Sequence, residues 1–211
     1  MTRHRLSFVV FVVFGIFAAM AGTSGCGEPG PDRAARAAKA QAEAKAAADK
    51  AREENEAARA AQRLLDLWTY TSVPVDKGRQ ASAMIYSSNS VDTDGTGEKG
   101  VQLVFRDHPA WGRSSYLVLQ GGDFNCYGGC TVAVKVDDAP AKRMAARRPP
   151  TDEAIAMFIN DWRELWRLTD GAKRISIEFP VKAGGTRTAE YDVAGLNRSR
   201  MPWDAAGAMP Q

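Results

Sequence analysis

The sequence has few of the side chains that most enzymes use for catalysis. Among its 211 residues there are only two histidines and three cysteines, and aromatic residues make up 9%. No G-x-S-x-G segment marks a nucleophilic serine, and His108 is the only histidine beyond the first five residues. A chain of this length also excludes a large multidomain enzyme. We therefore predict a protein that is not an enzyme.

No charge of one sign dominates the chain. Lys and Arg number 28 against 25 Asp and Glu, and residues 64–211 carry eighteen of each kind. A nucleic-acid partner requires clustered positive charge. The one dense basic cluster comprises Lys142, Arg143, Arg147 and Arg148, ahead of two prolines. We interpret this cluster as a solvated loop and predict no nucleic-acid partner.

The apolar run near the N-terminus is too short to span a membrane. It covers fifteen residues, from Leu6 to Met20, and follows Arg3 and Arg5. A membrane-spanning helix needs about 20 apolar residues, whereas the apolar core of a secretory signal needs about 7 to 15 after a positive start. Residues 1–25 are therefore predicted to be a signal peptide.

Two cleavage sites compete after the apolar run. Ala19-Met20-Ala21 fits ordinary signal peptidase. Thr23-Ser24-Gly25-Cys26 resembles the bacterial lipobox, with Thr23 where leucine is usual. The resemblance implies a lipid such as palmitate on Cys26, and Gly27 in place of aspartate implies outer-membrane sorting. We expect an exported lipoprotein, anchored by lipid to the periplasmic face of the outer membrane.

The cysteine count fits the same interpretation. If Cys26 carries lipid, Cys126 and Cys130 remain, an even number in a compartment where disulfides persist. We predict that these two cysteines form a disulfide. A thioredoxin-type pair has two intervening residues rather than three, and a zinc site would need two further ligands. No metal and no cofactor are expected.

Residues 26–63 form the predicted lipid anchor and helical spacer. From Asp32 to Gln62 nearly half of the residues are alanine, and glycine and proline are absent. This composition favours a long exposed helix of about 45 Å. No stripe of leucine or isoleucine supports a coiled coil. An apolar face appears only at residues 64–68, where we expect the helix to dock on the globular part.

Residues 64–203 are predicted to form one β-rich globular domain. Short alternating segments between turn residues indicate strands. They lie at residues 81–88, 101–106, 116–119, 131–136, 173–181 and 186–193. Gly128 and Gly129, between the two cysteines, supply the positive φ that a tight hairpin requires, so we expect a hairpin there.

One amphipathic helix is predicted within this domain, after Pro149-Pro150. Thr151 is a suitable N-cap, and Asp152 and Glu153 suit the first helical turn. Apolar residues follow at helical spacing, with both tryptophans expected in the core: Ile155, Phe158, Ile159, Trp162, Leu165 and Trp166. The expected fold class is α+β, an antiparallel sheet or sandwich with one helix, followed by a flexible tail at residues 204–211.

The motifs that might carry chemistry are weak. Residues 95–100 spell G-x-G-x-x-G, but a strand follows where phosphate binding needs a helix N-terminus. Residues 92–97 resemble the start of a calcium loop, yet Leu103 stands where a bidentate glutamate is required. We interpret His108, beside Asp107, as a loop histidine, because nothing fixes Ser114 near its ring.

Several segments together resemble a family of uncharacterised bacterial envelope lipoproteins. These segments are Trp68, Val101–Arg106, Cys126, Cys130–Asp138 and Tyr191–Leu196. The layout is more distantly similar to periplasmic accessory proteins of the type VI secretion system, with Tyr191 in place of a phenylalanine and Asp107 in place of a cysteine. The resemblance implies a non-enzymatic, β-rich periplasmic module and carries no catalytic residues.

The sequence therefore predicts a non-enzymatic envelope lipoprotein with a disulfide-stapled binding or scaffolding domain, such as a secretion-system accessory. We expect an envelope protein partner to contact Trp111, Tyr127 or Trp203, because large aromatic side chains are frequent in interfaces. The alternative is an envelope hydrolase, or an inhibitor of one. In the hydrolase, His108 would be the only imidazole base.

Overall fold

The computed structural model describes residues 31–149 and 155–203. The predicted signal peptide, Cys26, the predicted N-cap Thr151 and the tail at 204–211 lie outside these ranges. The chain divides into two units, Met1–Asp49 and Lys50–Gln211. The boundary between the units falls within the N-terminal helix.

The N-terminal helix, α1, runs from Pro31 to Asp66. Almost all of its described side chains are exposed. Ion pairs four residues apart link successive turns, as between Lys50 and Glu54 or Arg52 and Glu56. High intrinsic propensity and such pairs support a helix that has no apolar face. The prediction of a long alanine-rich helix is confirmed.

The last turn of the helix docks on the globular part, as expected, but Leu65 and Leu67 do not make the contact. Leu65 and Leu67 are each 45% exposed. The contact is made instead by the backbone, because a Cβ placed on Gly195 would lie 2.0 Å from the carbonyl oxygen of Leu64. Only a glycine lets the last helical turn come this close to the domain. Trp68, which was expected to end the helical segment, begins the first strand.

Nine strands follow α1 in the part of the chain that the structure describes. They are β1 Trp68–Val75, β2 Gly78–Tyr86, β3 Val101–His108, β4 Gly112–Leu119, β5 Cys130–Val136, β6 Lys142–Arg147, β7 Ala156–Ile159, β8 Arg174–Pro180 and β9 Thr186–Asp192. A short helix, α2, spans Trp162–Leu168, and two 3-10 turns span Val193–Gly195 and Arg198–Arg200. The strands form one antiparallel sheet in the order β1, β2, β3, β4, β7, β6, β5, β8, β9. The fold class is α+β, as predicted.

The structure corrects the predicted amphipathic helix after Pro149. Residues 156–159 are a strand, with Met157 and Ile159 buried on one face and Phe158 on the other. This strand pairs with β4 and with β6, which satisfies its backbone on both sides. The helix begins only at Trp162, where the Asp161 side chain accepts the backbone N–H of Glu164. The apolar spacing fits both periods, and sheet pairing decides between them.

The predicted hairpin between the cysteines is also wrong. β4 pairs with β3 and β7, whereas β5 pairs with β6 and β8. Residues 120–129 therefore cross from one part of the sheet to another. β6 and β7 lie between the two strands that were expected to be neighbours. The disulfide itself is confirmed, since Cys126 and Cys130 are bonded.

Phe105 is at the centre of an aromatic cluster on the buried face of the sheet. Its ring centroid lies 5.1 Å from that of Trp166 on α2 and 5.6 Å from that of Trp203. Trp68, the first residue of β1, lies 6.2 Å away on the same face. All four side chains are buried. The cluster thus joins the helix, the sheet and the C-terminal segment. The predicted core position is confirmed for Trp166, whereas Trp162 is only partly buried.

The two edges of the sheet differ. The segment after β2 lies along the outer side of β9: Ser88 N–H donates to the Glu190 carbonyl at 2.7 Å, and Glu190 N–H donates to Asn89 Oδ1 at 2.8 Å. β1 is the opposite edge, and no described strand pairs with its outer side. One edge is therefore covered and the other is open.

Candidate functional site

Polar and aromatic residues collect on the sheet face that points away from Phe105. Successive side chains of a strand point to opposite faces, so Arg106 lies on this outer face. Ser114 on β4 is the cross-strand partner of Arg106. Phe158 on β7 is paired with both Tyr116 on β4 and Arg147 on β6. The sheet order thus brings together two pairs of consecutive strands, β3 with β4 and β6 with β7, that are distant from each other in sequence.

Arg106 lies among three aromatic rings. Its guanidinium carbon is 5.3 Å from the ring centroid of Tyr116, 5.4 Å from that of Trp111 and 5.8 Å from that of Phe158. These distances are within the range of cation–π attraction. Burial raises the pKa of the Tyr116 hydroxyl, and the charge of Arg106 lowers it in part. The rings hold the arginine without neutralising it.

A cavity of about 380 Å³ opens beside Arg106. Its lining consists of four arginines, two aromatic rings, a serine and a proline: Arg106, Arg113, Arg147, Arg148, Trp111, Phe158, Ser114 and Pro149. We call this cavity the arginine pocket. None of these side chains is acidic.

Two of the four arginines already have acidic partners. Arg113 donates to Asp107 at 3.2 Å and to the carbonyl oxygens of Pro202 and Trp203. Arg148 Nε donates to Asp123 Oδ1 at 2.7 Å, and both side chains of this pair are largely buried. The charges of Arg113 and Arg148 are therefore balanced within the domain.

Asp123 is kept ionised by its neighbours. Burial alone would raise the pKa of this carboxyl, but hydrogen bonds from the Tyr127 hydroxyl and from Arg148 outweigh it and lower the pKa. The Tyr127 hydroxyl donates to Asp123 Oδ2 at 2.6 Å. Tyr127 also stacks against the Arg148 guanidinium at 4.7 Å. The disulfide loop thereby supports one wall of the arginine pocket.

Arg106 and Arg147 have no acidic partner among the described residues. Arg106 Nε is buried and lacks a hydrogen-bond partner within residues 31–149 and 155–203, and the same is true of Ser114 Oγ. Buried polar groups are nearly always hydrogen-bonded, and a buried charge without a counterion is costly. The arginine pocket thus combines a partly buried cation, Arg106, with an exposed cation, Arg147, and neither has an acidic partner among the described residues.

The structure corrects our interpretation of the basic cluster. Lys142 to Arg147 form strand β6 rather than a solvated loop. Met144 and Ala146 point into the core, and Arg148 is only 7% exposed. The sequence signal for this strand is the alternation of exposed positions with the buried Met144 and Ala146. The cluster supplies two of the four arginines of the pocket.

The predicted interaction residues have different surroundings. Trp111 is 71% exposed and lines the arginine pocket. Tyr127 is 56% exposed, although its hydroxyl and ring have the partners described above. Trp203 is only 6% exposed, so the expectation of a surface tryptophan there is wrong. Its indole packs against the rings of Phe105, Trp162 and Trp166. These contacts remove its apolar surface from water, which favours the buried position.

The side chain of His108 accepts hydrogen bonds from the backbone of the turn that follows it. His108 is the last residue of β3 and is buried, and its Nδ1 accepts the backbone N–H groups of Ala110 and Trp111 at 3.1 and 3.3 Å. Its ring stacks on Trp111 with the centroids 3.9 Å apart. The histidine therefore shapes the turn that presents Trp111, and its Nδ1 is not available to activate a nucleophile.

The aspartates of the possible calcium loop hold their own turn. Asp92 Oδ1 accepts the backbone N–H of Gly95 at 2.7 Å, and Asp94 Oδ1 accepts that of Thr96 at 2.9 Å. Lys99 Nζ lies 3.4 Å from Asp94 Oδ2. The described parts of the chain contain no group of three or more His, Cys, Asp or Glu side chains arranged to hold a metal ion.

Comparison with known proteins adds no relative. No protein-family model, curated protein or solved structure matches the chain. Within the described ranges, no helix combines the length and the apolar character needed to cross a membrane. The lipidation predicted at Cys26 concerns a residue outside these ranges. The site must therefore be interpreted from its own chemistry.

Proposed function

We propose that this protein is a non-enzymatic, lipid-anchored domain of the bacterial envelope that binds an anionic ligand in the arginine pocket. The observation that carries the proposal is that Arg106 and Arg147 line one cavity without an acidic partner in the described structure. Guanidinium groups bind carboxylates and phosphates through paired, charge-assisted hydrogen bonds. An anion would complete the coordination that the domain itself leaves open.

The rigidity of the surrounding groups supports this function. Arg113 and Arg148 are fixed by Asp107 and Asp123, so they shape the cavity without collapsing into it. Three rings hold Arg106 in place. A site whose cations are positioned before the ligand arrives loses little conformational entropy on binding.

A binding role fits this geometry better than hydrolysis. His108 Nδ1 accepts two backbone N–H groups, and Ser114 and Ser115 point to opposite faces of β4 because they are adjacent in a strand. Neither serine forms a hydrogen bond with this imidazole in the structure. The nucleophile–base contact that an acyl-transfer site uses is absent from the described residues.

The envelope location is proposed from the sequence. The positive start, the fifteen-residue apolar run and Ser24-Gly25-Cys26 support export and lipidation. A partner protein that contacts the exposed Trp111 or Tyr127 is part of the same proposal. Intact mass measurement on chain extracted from bacterial membranes tests the anchor: a diacylglyceryl mass on Cys26 is expected, and an unmodified chain starting at Gly22 would contradict it.

The anion site is tested by calorimetric titration of the exported chain with benzoate and phenyl phosphate. Arg147→Gln should weaken binding at least about tenfold, because a hydrogen bond to a charged group contributes about 1.5–3 kcal/mol. Arg143→Gln is the matched control, since Arg143 lies on the same strand and does not line the pocket. Absence of anion binding, or equal losses in both variants, would refute the site.

A further inference from the structure

We propose that the arginine pocket selects a doubly charged phosphate monoester over singly charged anions. This inference rests on the proposed anion-binding function and names the class of ligand. The geometry that points to it is the placement of Arg106, Arg147 and the hydroxyl of Ser114 around one cavity that has no acidic side chain in its described lining.

Charge matching is the first argument. With Arg113 and Arg148 paired to Asp107 and Asp123, the described lining has two uncompensated positive charges. A phosphate monoester carries about −1.5 to −2 near pH 7, whereas a carboxylate or a phosphate diester carries −1. Only the monoester neutralises both arginines.

Hydrogen-bond capacity is the second argument. Arg106 Nε and Ser114 Oγ are buried and lack partners among the described residues. The guanidinium of Arg147 offers further N–H donors at the same cavity. A phosphate monoester presents three strong acceptor oxygens, against two for a carboxylate. Donors from three side chains can therefore each engage a separate oxygen of a phosphate monoester, whereas a carboxylate has only two oxygens.

Trp111 extends the site beyond the phosphate. It lines the arginine pocket and also a second cavity of about 550 Å³, whose other lining residues include Lys77, His108 and Ala110. A ring attached to the phosphate can lie against the exposed indole, since aromatic and sugar rings bury apolar surface there. The ligand class is therefore a phosphate monoester carried on a ring.

The test compares three probes that share one ring: phenyl phosphate, methyl phenyl phosphate and benzoate. At pH 8 the monoester is dianionic and the other two carry one charge. We expect phenyl phosphate to bind at least about tenfold more tightly than either, because it engages one more charged donor. Trp111→Ala should weaken the binding of phenyl phosphate more than the binding of inorganic phosphate.

The pH dependence provides a second readout. The second pKa of a phosphate monoester is about 6, so its preference should shrink strongly at pH 5 while both arginines stay charged. Among the described residues, the ionisable side chains around the pocket besides its arginines are Asp107, Asp123, Tyr127, His108 and Tyr116. Methyl phenyl phosphate keeps one charge throughout this range, so any change in its affinity with pH comes from the protein. This change is subtracted from the change measured with phenyl phosphate.

The outcomes separate the two proposals. Equal affinities for phenyl phosphate and methyl phenyl phosphate at pH 8 would overturn the monoester assignment and leave the anion site standing. Failure of all three probes to bind would overturn both. Loss of the preference in Arg147→Gln and in Arg106→Gln, but not in Arg143→Gln, is the expected result.

Two sources can supply such a group, a small soluble molecule or a lipid headgroup. Vesicles of phosphatidylcholine with phosphatidylinositol 4-phosphate, which has a phosphate monoester on a sugar-like ring, distinguish them. Binding that depends on this lipid and on Arg147 assigns the lipid source, and binding of phenyl phosphate without vesicle binding assigns the soluble one. If the protein bound pure phosphatidylcholine vesicles as well as vesicles that contain the monoester lipid, the proposed selectivity for phosphate monoesters would be contradicted.

Discussion

The backbone N–H of Arg148 donates to the carbonyl oxygen of Cys126 at 3.2 Å. This hydrogen bond joins the end of the basic cluster to the disulfide loop. In the same loop, Tyr127 shares the carboxylate of Asp123 with Arg148. The disulfide and the arginine pocket are consequently one structural unit.

Removal of the disulfide should affect both stability and binding. The Cys126→Ser, Cys130→Ser double variant is expected to lose about 2 kcal/mol of unfolding free energy, because the bridge closes a short loop. Its affinity for phenyl phosphate should also fall, since Asp123 and Tyr127 no longer hold Arg148 in place. Urea unfolding and calorimetry measure the two effects. Addition of reductant should lower the urea midpoint of the wild type and leave that of the variant unchanged.

Gly195 should not tolerate a side chain. Gly195→Ala places a Cβ 2.0 Å from the Leu64 carbonyl oxygen, so the backbone must move. We expect a loss of about 1–3 kcal/mol, the usual cost of overpacking. Gly128→Ala is the matched control, because a Cβ there has no atom within 4 Å. Equal unfolding midpoints for the two variants in urea would contradict this account.

The two tryptophans at opposite extremes of exposure should respond differently to truncation. Trp203→Ala removes a buried ring that contacts Phe105 and Trp166, and should cost about 3–5 kcal/mol. Trp111→Ala removes an exposed ring and should change stability by less than about 1 kcal/mol. Thermal unfolding followed by circular dichroism measures both. A larger loss of stability in Trp111→Ala than in Trp203→Ala would contradict the assignment of Trp203 to the core and of Trp111 to the surface.

Glu164 should make stability depend on acid pH. Hydrogen bonds from Arg167 and Lys142 lower the pKa of its carboxyl from 4.5 to about 2. Because the folded pKa is the lower one, the stabilisation is present above about pH 4.5 and is lost as the pH falls toward 2. The partners Arg167 and Lys142 are largely exposed, so solvent screens the interaction and we expect at most about 1 kcal/mol.

Glu164→Gln is therefore expected to flatten the fall in melting temperature between pH 5 and pH 2. Glu54→Gln is the control, since Glu54 pairs only with Lys50 on the exposed surface of α1. Superimposable acid profiles for wild type and Glu164→Gln would show that the network of Arg167 and Lys142 does not couple to folding.

Much of the fold follows from local sequence patterns. Alanine-rich composition specifies α1, and alternation between turn residues specifies strands such as β3 and β8. The sequence of β7 also predicts helix, because its short apolar run fits either period. β6 was mistaken for a loop because charged residues fill its outward positions, including Arg143 and Arg147. Only pairing with neighbouring strands decides such segments.

The site was less accessible from the sequence. The basic cluster was visible, but its companions Arg106 and Ser114 precede it by some thirty residues or more. They meet Arg147 because β7 and β6 follow β4 in the sheet order, which no short spacing encodes. The disulfide, by contrast, joins residues four positions apart and could be predicted from cysteine count alone.

The unequal edges of the sheet set a limit on self-association. When copies polymerise by pairing the edges of their sheets, each molecule needs two exposed edge strands, one for each neighbour. Here the segment after β2 occupies the β9 edge, through Ser88 and Asn89, and β1 is the one edge left open by the described residues. Two copies that joined through β1 would use up the available edges, so edge pairing would end in a closed pair rather than a growing fibril.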